Sequence, residues 1–468
     1  MTKYSILHIS DLHKLPGTTY EALLQSLLTD RDRYLQSGVA APRYVVVSGD
    51  LIHGGDTEGE IEAQYAEVKG FLNAVATEFL GGDKLRMLIV PGNHDVSFPH
   101  SRSSMTPEAD AHKKENSKLF WNGDASLRWD WREMEFYRIA DPIRHAQRYE
   151  LFRAFYDDFY EGNRTYPENP QLASECYSFY PDKVTFALFN SCRGLDHLNE
   201  TADVDEEAIV NVTPNLRSSY NKGYLNIAVW HHHFYGAPRE TNYLDREVIK
   251  RMSHSYIQMG LFGHQHVSQI AEFYGGDLML SEAADNQRLL LVSSGTLFGG
   301  KKELGDGAKR QYNVIEVEQE NGRANITIHV REDGNRNVES KLPIWTAKDS
   351  APIRTSVQTR NLTASEQLAN EQRTAQETGD YIAAFEHLKD ISVTGTLYDR
   401  VRSELIRGIK NNRYLLDHLV PQTQNDYMLL MSCAERENDE MAKARLKADE
   451  RLQAMLEDPI MKEMYERL

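Results

Sequence analysis

Residues 87–95 read Met-Leu-Ile-Val-Pro-Gly-Asn-His-Asp, an apolar run that gives way at once to a polar cluster. A short continuous apolar run is typical of a strand that is buried on both faces. Four other runs end in the same way: residues 4–10 before Asp11-Leu12-His13, 44–47 before Ser48-Gly49-Asp50, 227–230 before His231-His232-His233, and 259–262 before Gly263-His264-Gln265-His266. Helix-like stretches such as 20–35 and 58–79 lie between runs, so the pattern predicts α/β layers. In open α/β sheets, functional groups gather beyond the carboxyl ends of the strands.

The polar clusters together form a set of metal donors. Asp11 and His13 stand two residues apart in an extended run and therefore point the same way, as do His264 and His266. Asp50, Asn93 and His231 complete a set of oxygen and nitrogen donors without sulfur. Such a set suits Mn²⁺, with Fe or Zn²⁺ as alternatives, better than thiolate zinc or all-oxygen calcium. Because seven donors are too many for one ion, the sequence predicts two ions that share a carboxylate, an arrangement used in phosphate chemistry.

Each cluster alone is common by chance, and the ordered set carries the signal. Asp11-x-His13, Gly49-Asp50, Gly92-Asn93-His94-Asp95, His231 and Gly263-His264-x-His266 resemble the motifs of the calcineurin-like metallophosphoesterase superfamily, over about residues 1–335. The resemblance implies a four-layer αββα sandwich of two facing sheets with a dinuclear site at one edge. It assigns Asp11, His13 and His266 to one ion and Asn93, His231 and His264 to the other, with Asp50 bridging both. His232 remains the alternative to His231, because the proline that usually follows these histidines is absent.

The resemblance also implies the catalytic residues and the reaction. A hydroxide bridging the two ions would attack phosphorus, with His94 near the leaving group as proton donor or electrostatic clamp. Asp95 would fix the tautomer and orientation of His94; a helix-cap or turn-acceptor role for Asp95 is the alternative, and both can hold together. His8 and His53 also lie near the motifs, and we expect them to have packing or turn roles.

The motif details favour a phosphodiester substrate. The motif Gly92-Asn93-His94-Asp95 resembles that of the Ser/Thr protein phosphatases less closely, because it ends in Asp95 rather than Glu. In addition, Val90-Pro91 stand where those phosphatases carry an arginine. We therefore expect a phosphodiesterase or nuclease-like hydrolase that acts on a nucleotide or a single-stranded nucleic acid. The net charge is −17, and an acidic body disfavours broad capture of duplex DNA.

Composition narrows the remaining classes. The chain is 40% hydrophobic and 26% charged, which is typical of a globular protein. No apolar run approaches the ~18 residues that cross a bilayer, so no membrane association is expected. Cys176, Cys192 and Cys433 lie far apart without a CxxC motif, which argues against a disulfide framework. With no secretory leader pattern, we expect a cytoplasmic protein.

The chain is predicted to contain a phosphoesterase domain over residues 1–335, a linker over 336–364 and a helical domain over 365–468. The stretch from about 98 to 175 interrupts the α/β rhythm, holds three of the five tryptophans and a dense aromatic run over 136–160, and is interpreted as a cap. Its rings would form a core of their own or, alternatively, a base-stacking surface.

Two alternatives stay open for the function. One is a non-catalytic scaffold, against which the complete ligand set argues. The other is an effector subunit of a larger assembly, recruited through the helical tail. That tail is interpreted as a packed helical appendage or a surface for homo-oligomers or a protein partner, or else as a coiled-coil arm formed by a long final helix.

Overall fold

The computed structural model describes residues 2–13, 19–236, 241–274, 288–299, 304, 308–335, 342–391 and 395–468. The strands of these residues, in chain order, are β1 (Thr2–Ile9), β2 (Pro42–Ser48), β3 (Met87–Val90), β4 (Met105–Pro107), β5 (Leu127–Asp130), β6 (Glu135–Ile139), β7 (Ser174–Phe179), β8 (Val184–Phe189), β9 (Leu225–Val229), β10 (Met259–Phe262), β11 (Ile270–Tyr274), β12 (Arg288–Ser293), β13 (Gln311–Glu320), β14 (Arg323–Asp333), β15 (Trp345–Ala347) and β16 (Ile353–Gln358).

The helices of the same residues are α1 (Tyr20–Gln36), α2 (Glu58–Leu80), α3 (Phe98–Ser103), α4 (Lys113–Trp121), α5 (Pro142–Ala146), α6 (Glu150–Phe159), α7 (Glu206–Asn221), α8 (Arg246–His254), α9 (Ala364–Thr378), α10 (Tyr381–Leu388), α11 (Thr396–Gly408), α12 (Asn412–His418), α13 (Gln424–Glu437), α14 (Glu440–Lys447), α15 (Glu450–Gln453) and α16 (Pro459–Arg467). No helix in the described part of the chain is both long and apolar enough to cross a membrane.

The strands form two large sheets and one small sheet. The first sheet has the order β15-β14-β13-β1-β2-β3, with β16 also paired to β14, and the second has the order β11-β12-β10-β9-β8-β7. The third sheet has the order β4-β6-β5. In the first sheet β1, β2 and β3 run parallel, and in the second β8, β9, β10 and β12 do the same. The polar clusters of the sequence therefore follow the carboxyl ends of parallel strands in both sheets.

Three cores hold the sheets and helices in four layers. Ile6 of the first sheet and Ile227 of the second belong to one core between the facing sheets. Leu7, on the other face of β1, packs in a second core with residues of α1, α2 and α6. Trp230, which follows β9, shares a third core with residues of α7 and α8 on the outer face of the second sheet. Burial on both faces explains the continuous apolar runs, and the predicted four-layer sandwich is confirmed.

The segment interpreted as a cap is divided between two places. One part of the segment contains α3 to α5 and the strands β4 to β6, which form the third sheet. The other part is α6, whose Phe152, Phe155 and Phe159 pack in the core beside α2. The dense aromatic run is thus largely a sandwich layer rather than the core of a separate cap. Trp121 and Trp131 of this segment are 76% and 72% exposed.

The stretch expected to be a linker contributes strands to the first sheet. The chain divides into two compact units, residues 1–362 and 363–468, and β15 and β16 both pair with β14 inside the first. Trp345 is 1% exposed and its Nε1 donates a hydrogen bond to Ser26 Oγ at 2.9 Å. Pro343 and Pro352, which favour a loop interpretation, lie just before these two strands and therefore interrupt neither of them.

The second unit is built from α9 to α16 around its own apolar core. Where a long final helix was one interpretation, residues 424–467 form the four helices α13 to α16. Asn438 ends α13 in a left-handed conformation with φ 48°, and Asp439, Asp449 and Asp458 each cap the N-terminus of the next helix. These caps restart the chain at each turn, so the described residues form no continuous coiled-coil arm.

Candidate metal centre

The predicted ligands lie in loops that directly follow strands of both large sheets. Asp11 and His13 follow β1, Asp50 follows β2, and Asn93 follows β3 in a short 3₁₀ helix, Asn93–Asp95. His231 follows β9, and His264 and His266 follow β10. Because parallel strands end at a common edge, these loops meet, and the structure brings all seven residues together.

Four of the ligand positions have an unusual backbone. Asp11, Asp50, His264 and His266 have φ values of 53°, 53°, 77° and 59°. Left-handed conformations cost energy for residues with a Cβ and concentrate at functional sites. These conformations turn the backbone away from the strand directly after the strand ends. The loops also contact each other, since the backbone N–H of Asp11 donates a hydrogen bond to Gly49 O at 3.0 Å. The loops are therefore locked to one another at the sheet edge.

Glycines allow the loops to approach this closely. A Cβ on Gly49 would lie 2.5 Å from His231 Nδ1, and one on Gly92 would lie 2.8 Å from Asp50 Cγ. A Cβ on Gly263 would lie 2.6 Å from Asp11 Oδ2. Each glycine of the sequence motifs thus leaves the space that a ligand side chain occupies.

The first group of donors consists of Asp11, His13 and His266. Asp11 Oδ1 lies 3.2 Å from His266 Nε2 and 3.7 Å from His13 Nε2. The two imidazole nitrogens are 3.2 Å apart. Donors about 3 Å apart are what neighbouring positions around an ion with bonds of about 2.1 Å require. Asp11 Oδ1 is buried without a hydrogen-bond partner among the described residues, which a cation would supply.

The second group consists of Asn93, His231 and His264, and Asp50 lies between the groups. Asn93 Oδ1 is 3.0 Å from His231 Nε2 and 3.1 Å from His264 Nδ1. Asp50 Oδ2 is 3.3 Å from His231 Nε2 and 4.0 Å from His13 Nε2. This oxygen can therefore bind an ion in either group, so the residues fit two divalent ions with Asp50 as the shared carboxylate.

The geometry distinguishes His231 from His232. His231 Nδ1 lies 2.8 Å from Ser48 O, and because a carbonyl oxygen only accepts, Nδ1 carries the proton and Nε2 offers its lone pair to the centre. His232 Nδ1 instead lies 2.9 Å from Ser191 Oγ. This geometry therefore places His231 Nε2, rather than His232 Nδ1, among the donors of the second group.

The electrostatics of the centre suit cation binding. Burial lowers the pKa of His13 to about 4 and that of His264 to about 3, so both are neutral at pH 7, the form that binds metals. Burial opposes ionisation of Asp11, yet the His266 imidazole brings the pKa of that carboxyl to about 2. Burial also opposes the charged form of His231, but the Asp50 carboxylate raises the pKa of His231 to about 9. A metal at this position must displace that proton.

His94 is oriented by the backbone. Its Nδ1 lies 3.0 Å from the carbonyl oxygen of His53, which fixes Nδ1 as the protonated nitrogen, and its Nε2 lies 4.0 Å from Asp50 Oδ2. The Asp95 carboxylate, expected to orient His94, instead accepts from Gly92 N at 2.8 Å, Leu51 N at 3.1 Å and Tyr65 Oη at 3.1 Å. Asp95 therefore fixes the loops after β2 and β3, the turn-acceptor alternative. Burial and the nearby Asp50 charge raise its pKa to about 7.

His53 is closer to the centre than its expected packing or turn role requires. Its ring lies 5.7 Å from that of His94 and 6.0 Å from that of His13. The only sign in the sequence that His53 lies near the centre is its position three residues after Asp50, in the same loop. His8, by contrast, is buried, and its Nε2 lies 3.0 Å from Ser48 Oγ, a packing role.

Comparison with solved structures found distant matches. A dimetal phosphatase from Danio rerio is 11% identical over 77% of this chain and 100% of that chain, with a TM-score of 0.39. The anchor GAP50 in the inner membrane complex of Plasmodium is 10% identical over 80% and 95% of the two chains, with a TM-score of 0.36. The calcineurin-like phosphoesterase YfkN from Bacillus subtilis is 12% identical over 81% and 99%, with a TM-score of 0.30. These values are too low to carry an argument about function.

A search of curated proteins found no match. The family model described as calcineurin-like phosphoesterase matches residues 4–268, which is more than half of the chain and includes every candidate ligand. The chain therefore belongs to the calcineurin-like phosphoesterase family.

Proposed function

We propose that the protein hydrolyses phosphodiester bonds in a nucleotide or single-stranded nucleic acid, with two Mn²⁺ ions as its cofactor. The observation that carries the proposal is the position of His94. Its Nδ1 is anchored on the His53 carbonyl, its Nε2 faces Asp50, and 38% of its side chain is exposed. An imidazole held between a metal centre and solvent is suited to a leaving group that needs a proton.

The two ions, when bound, would supply a water made acidic enough to lose its proton near neutral pH and a positive charge that stabilises phosphate oxygens. Asp11, His13 and His266 would hold one ion, and Asn93, His231 and His264 the other. The Asp50 carboxylate would tie the pair together, while its Oδ1 accepts from the His94 backbone N–H at 2.8 Å. His94 Nε2, in the imidazolium form, would donate its proton to the departing oxygen.

His94 suits any phosphate ester with an alkoxide leaving group, and the charge of the loop before Asn93 favours a diester among these. An alkoxide is a poor leaving group unless it is protonated, and a positioned imidazole provides that proton. The loop before Asn93 is Val90-Pro91 and offers no side-chain cation beside the phosphate. A monoester dianion would gain from such a cation, whereas a diester monoanion needs it less.

Manganese is favoured by the donor set. Four imidazoles, two carboxylates and one amide form a mixture of borderline and hard ligands with no sulfur, and such a mixture suits Mn²⁺ in five- or six-coordinate geometry. Fe and Zn²⁺ accept the same donors and are the alternatives.

The test is an assay of the full chain with Mn²⁺ on four substrates: p-nitrophenyl phosphate, bis-p-nitrophenyl phosphate, a cyclic nucleotide and a single-stranded oligonucleotide. We expect turnover of the diesters to exceed that of the monoester, and we expect Asp50→Asn to lower kcat at least about 100-fold on every substrate. His94→Gln should do the same on the cyclic nucleotide and the oligonucleotide, whose alkoxide leaving groups need a proton that p-nitrophenolate does not need. The matched control is His112→Gln, at an exposed imidazole in the segment before α4.

Two results would contradict the proposal. Equal activity of wild type, Asp50→Asn and His94→Gln would show that a contaminant produces the signal. A folded wild type with two bound ions and no turnover of any substrate would favour a non-catalytic scaffold.

A further inference from the structure

A pocket lies beside the candidate metal centre, and His94 is part of its lining. The pocket has a volume of about 260 Å³ and is lined by the loop 53–56 and by His94, Val96, Phe98 and Arg102. This volume is near the lower end of small-molecule sites. Phe98 and Arg102 belong to α3, in the segment that precedes the third sheet, so they are features of this chain rather than of the metal-binding motifs.

The charge of the pocket is already balanced. Arg102 Nη1 lies 2.8 Å from Asp56 Oδ1, and both side chains are substantially exposed at the rim. A paired guanidinium offers little attraction for a second phosphate, because its charge is compensated and screened. The remaining N–H groups of Arg102 can still donate hydrogen bonds to the polar edge of an uncharged ligand, and the Asp56 carboxylate can still accept them from it.

The walls of the pocket are flat and partly apolar. The rings of His53 and His94 lie nearly parallel, with 22° between their planes. Phe98 is half-buried against a small apolar cluster that includes Val96. Aromatic faces with a hydrogen-bonding rim suit a planar heteroaromatic group, since such a group stacks on rings and presents polar edges.

His94 connects this pocket to the candidate centre. Its Nε2 lies 4.0 Å from the shared Asp50 oxygen, while its side chain also lines the pocket. A group attached to the oxygen that His94 would protonate therefore has this pocket beside it.

We propose that this pocket binds the base of the leaving-group nucleoside, stacked against Phe98, and that it thereby makes a nucleoside the preferred leaving group. The inference rests on the proposed phosphodiesterase function and names its substrate class: a phosphodiester whose departing alcohol is an unphosphorylated nucleoside or the end of a strand. Phe98 is a specificity-determining residue and takes no part in proton transfer.

The experiment compares deoxyadenylyl-deoxyadenosine with its two abasic analogues, each lacking one base. The products identify which nucleoside departs. We expect kcat/KM to fall about tenfold when the departing nucleoside lacks its base, which is the loss expected when one base–aromatic stack is removed. Removal of the other base should change kcat/KM less. Phe98→Leu should abolish the preference by raising KM for the base-containing substrate, whereas Phe120→Leu, a matched change on α4 outside the pocket, should retain it.

Binding of adenosine, measured by calorimetry, separates this inference from the proposed function. Adenosine should bind to wild type and to Phe120→Leu, and about tenfold more weakly to Phe98→Leu. If none of the three dinucleotides and none of the diesters tested above is hydrolysed, the proposed function fails, and adenosine binding alone decides whether the pocket accepts a base. An unchanged base preference in folded Phe98→Leu, or equal adenosine affinity in all three proteins, would overturn the inference.

Discussion

Replacing Gly92 by alanine tests how tightly the metal centre is packed. The new Cβ would lie 2.8 Å from Asp50 Cγ and closer still to Asp50 Oδ1 and N. An ordinary contact needs at least 3.4 Å, and the obstructing atoms include backbone rather than a mobile side-chain end. The Asp50 loop and the Gly92 loop must therefore separate by about 1 Å, and a displacement of this size at a catalytic group costs about 100-fold in rate.

Stability and metal affinity should fall together. Forcing a methyl group into a packed site costs about 1–3 kcal/mol, and a displaced Asp50 should weaken both ions because it is the shared ligand. We expect Mn²⁺ affinity to drop about 10–100-fold, as for the loss of groups that orient metal ligands. Calorimetric titration with Mn²⁺ and the diester assay measure the two effects, and circular dichroism shows whether the variant is folded.

The matched control is Gly70→Ala in α2. A Cβ at Gly70 meets no atom within 4 Å, and alanine in a helix interior is favoured over glycine by about 1 kcal/mol. This variant should keep wild-type metal binding and gain stability. A folded Gly92→Ala variant that bound two Mn²⁺ ions with wild-type affinity and retained full activity would refute the tight packing of these two loops.

Three further predictions concern the ligands and the buried charges. Loss of the His231 imidazole in His231→Ala should reduce the bound metal from two ions per chain to one, measured by elemental analysis, and unchanged stoichiometry would exclude this residue as a ligand. Chelation of bound ions should lower Tm reversibly, because a ligand at 100 times its Kd stabilises the folded state by about 2.7 kcal/mol per site; a Tm insensitive to both chelator and Mn²⁺ would contradict the site. The buried Asp196 carboxylate accepts from Arg128 Nε at 2.7 Å, and although burial raises its pKa, His145 and Arg128 bring it below the usual value. The stability that the ionised Asp196 contributes is therefore present above about pH 4 and is lost as the pH falls through the lower pKa of the folded state. Urea unfolding should show that Asp196→Asn lowers the free energy of unfolding by about 3 kcal/mol at pH 7 and by less at pH 3. A loss of stability that does not change with pH would contradict this role of Asp196.

The strand ends could be predicted from the sequence because burial on both faces leaves a clear pattern. The runs ending at Ser10, Ser48 and Val90 carry buried apolar residues on both alternations, since one face meets the opposite sheet and the other meets helices. The polar residue that follows each run then marks the common edge of parallel strands. Local composition was sufficient here because the signal for a buried strand and the signal for its end are adjacent in sequence.

Features that depend on contacts between distant residues could not be predicted in this way. The aromatic residues of α6 are equally compatible with a separate cap and with a sandwich layer, and only the contact with α2 distinguishes the two. The carboxylate of Asp95 could accept a hydrogen bond either from the neighbouring His94 imidazole or from backbone N–H groups of the loops. Which of these forms depends on Tyr65, which lies 30 residues away and donates to the same carboxylate. Trp345 is buried by Tyr312, and the composition around it favours a loop.

The place of β1 at the centre of the first sheet constrains the order of events during folding. Its antiparallel neighbour, β13, begins only at Gln311, so β1 pairs with a strand that lies far along the chain. Closing so large a loop is slow compared with local helix formation. The sheet that positions Asp11 and His13 is complete only after this distant pairing has formed. We therefore expect recovery of metal binding during refolding to lag behind recovery of the helical circular dichroism signal.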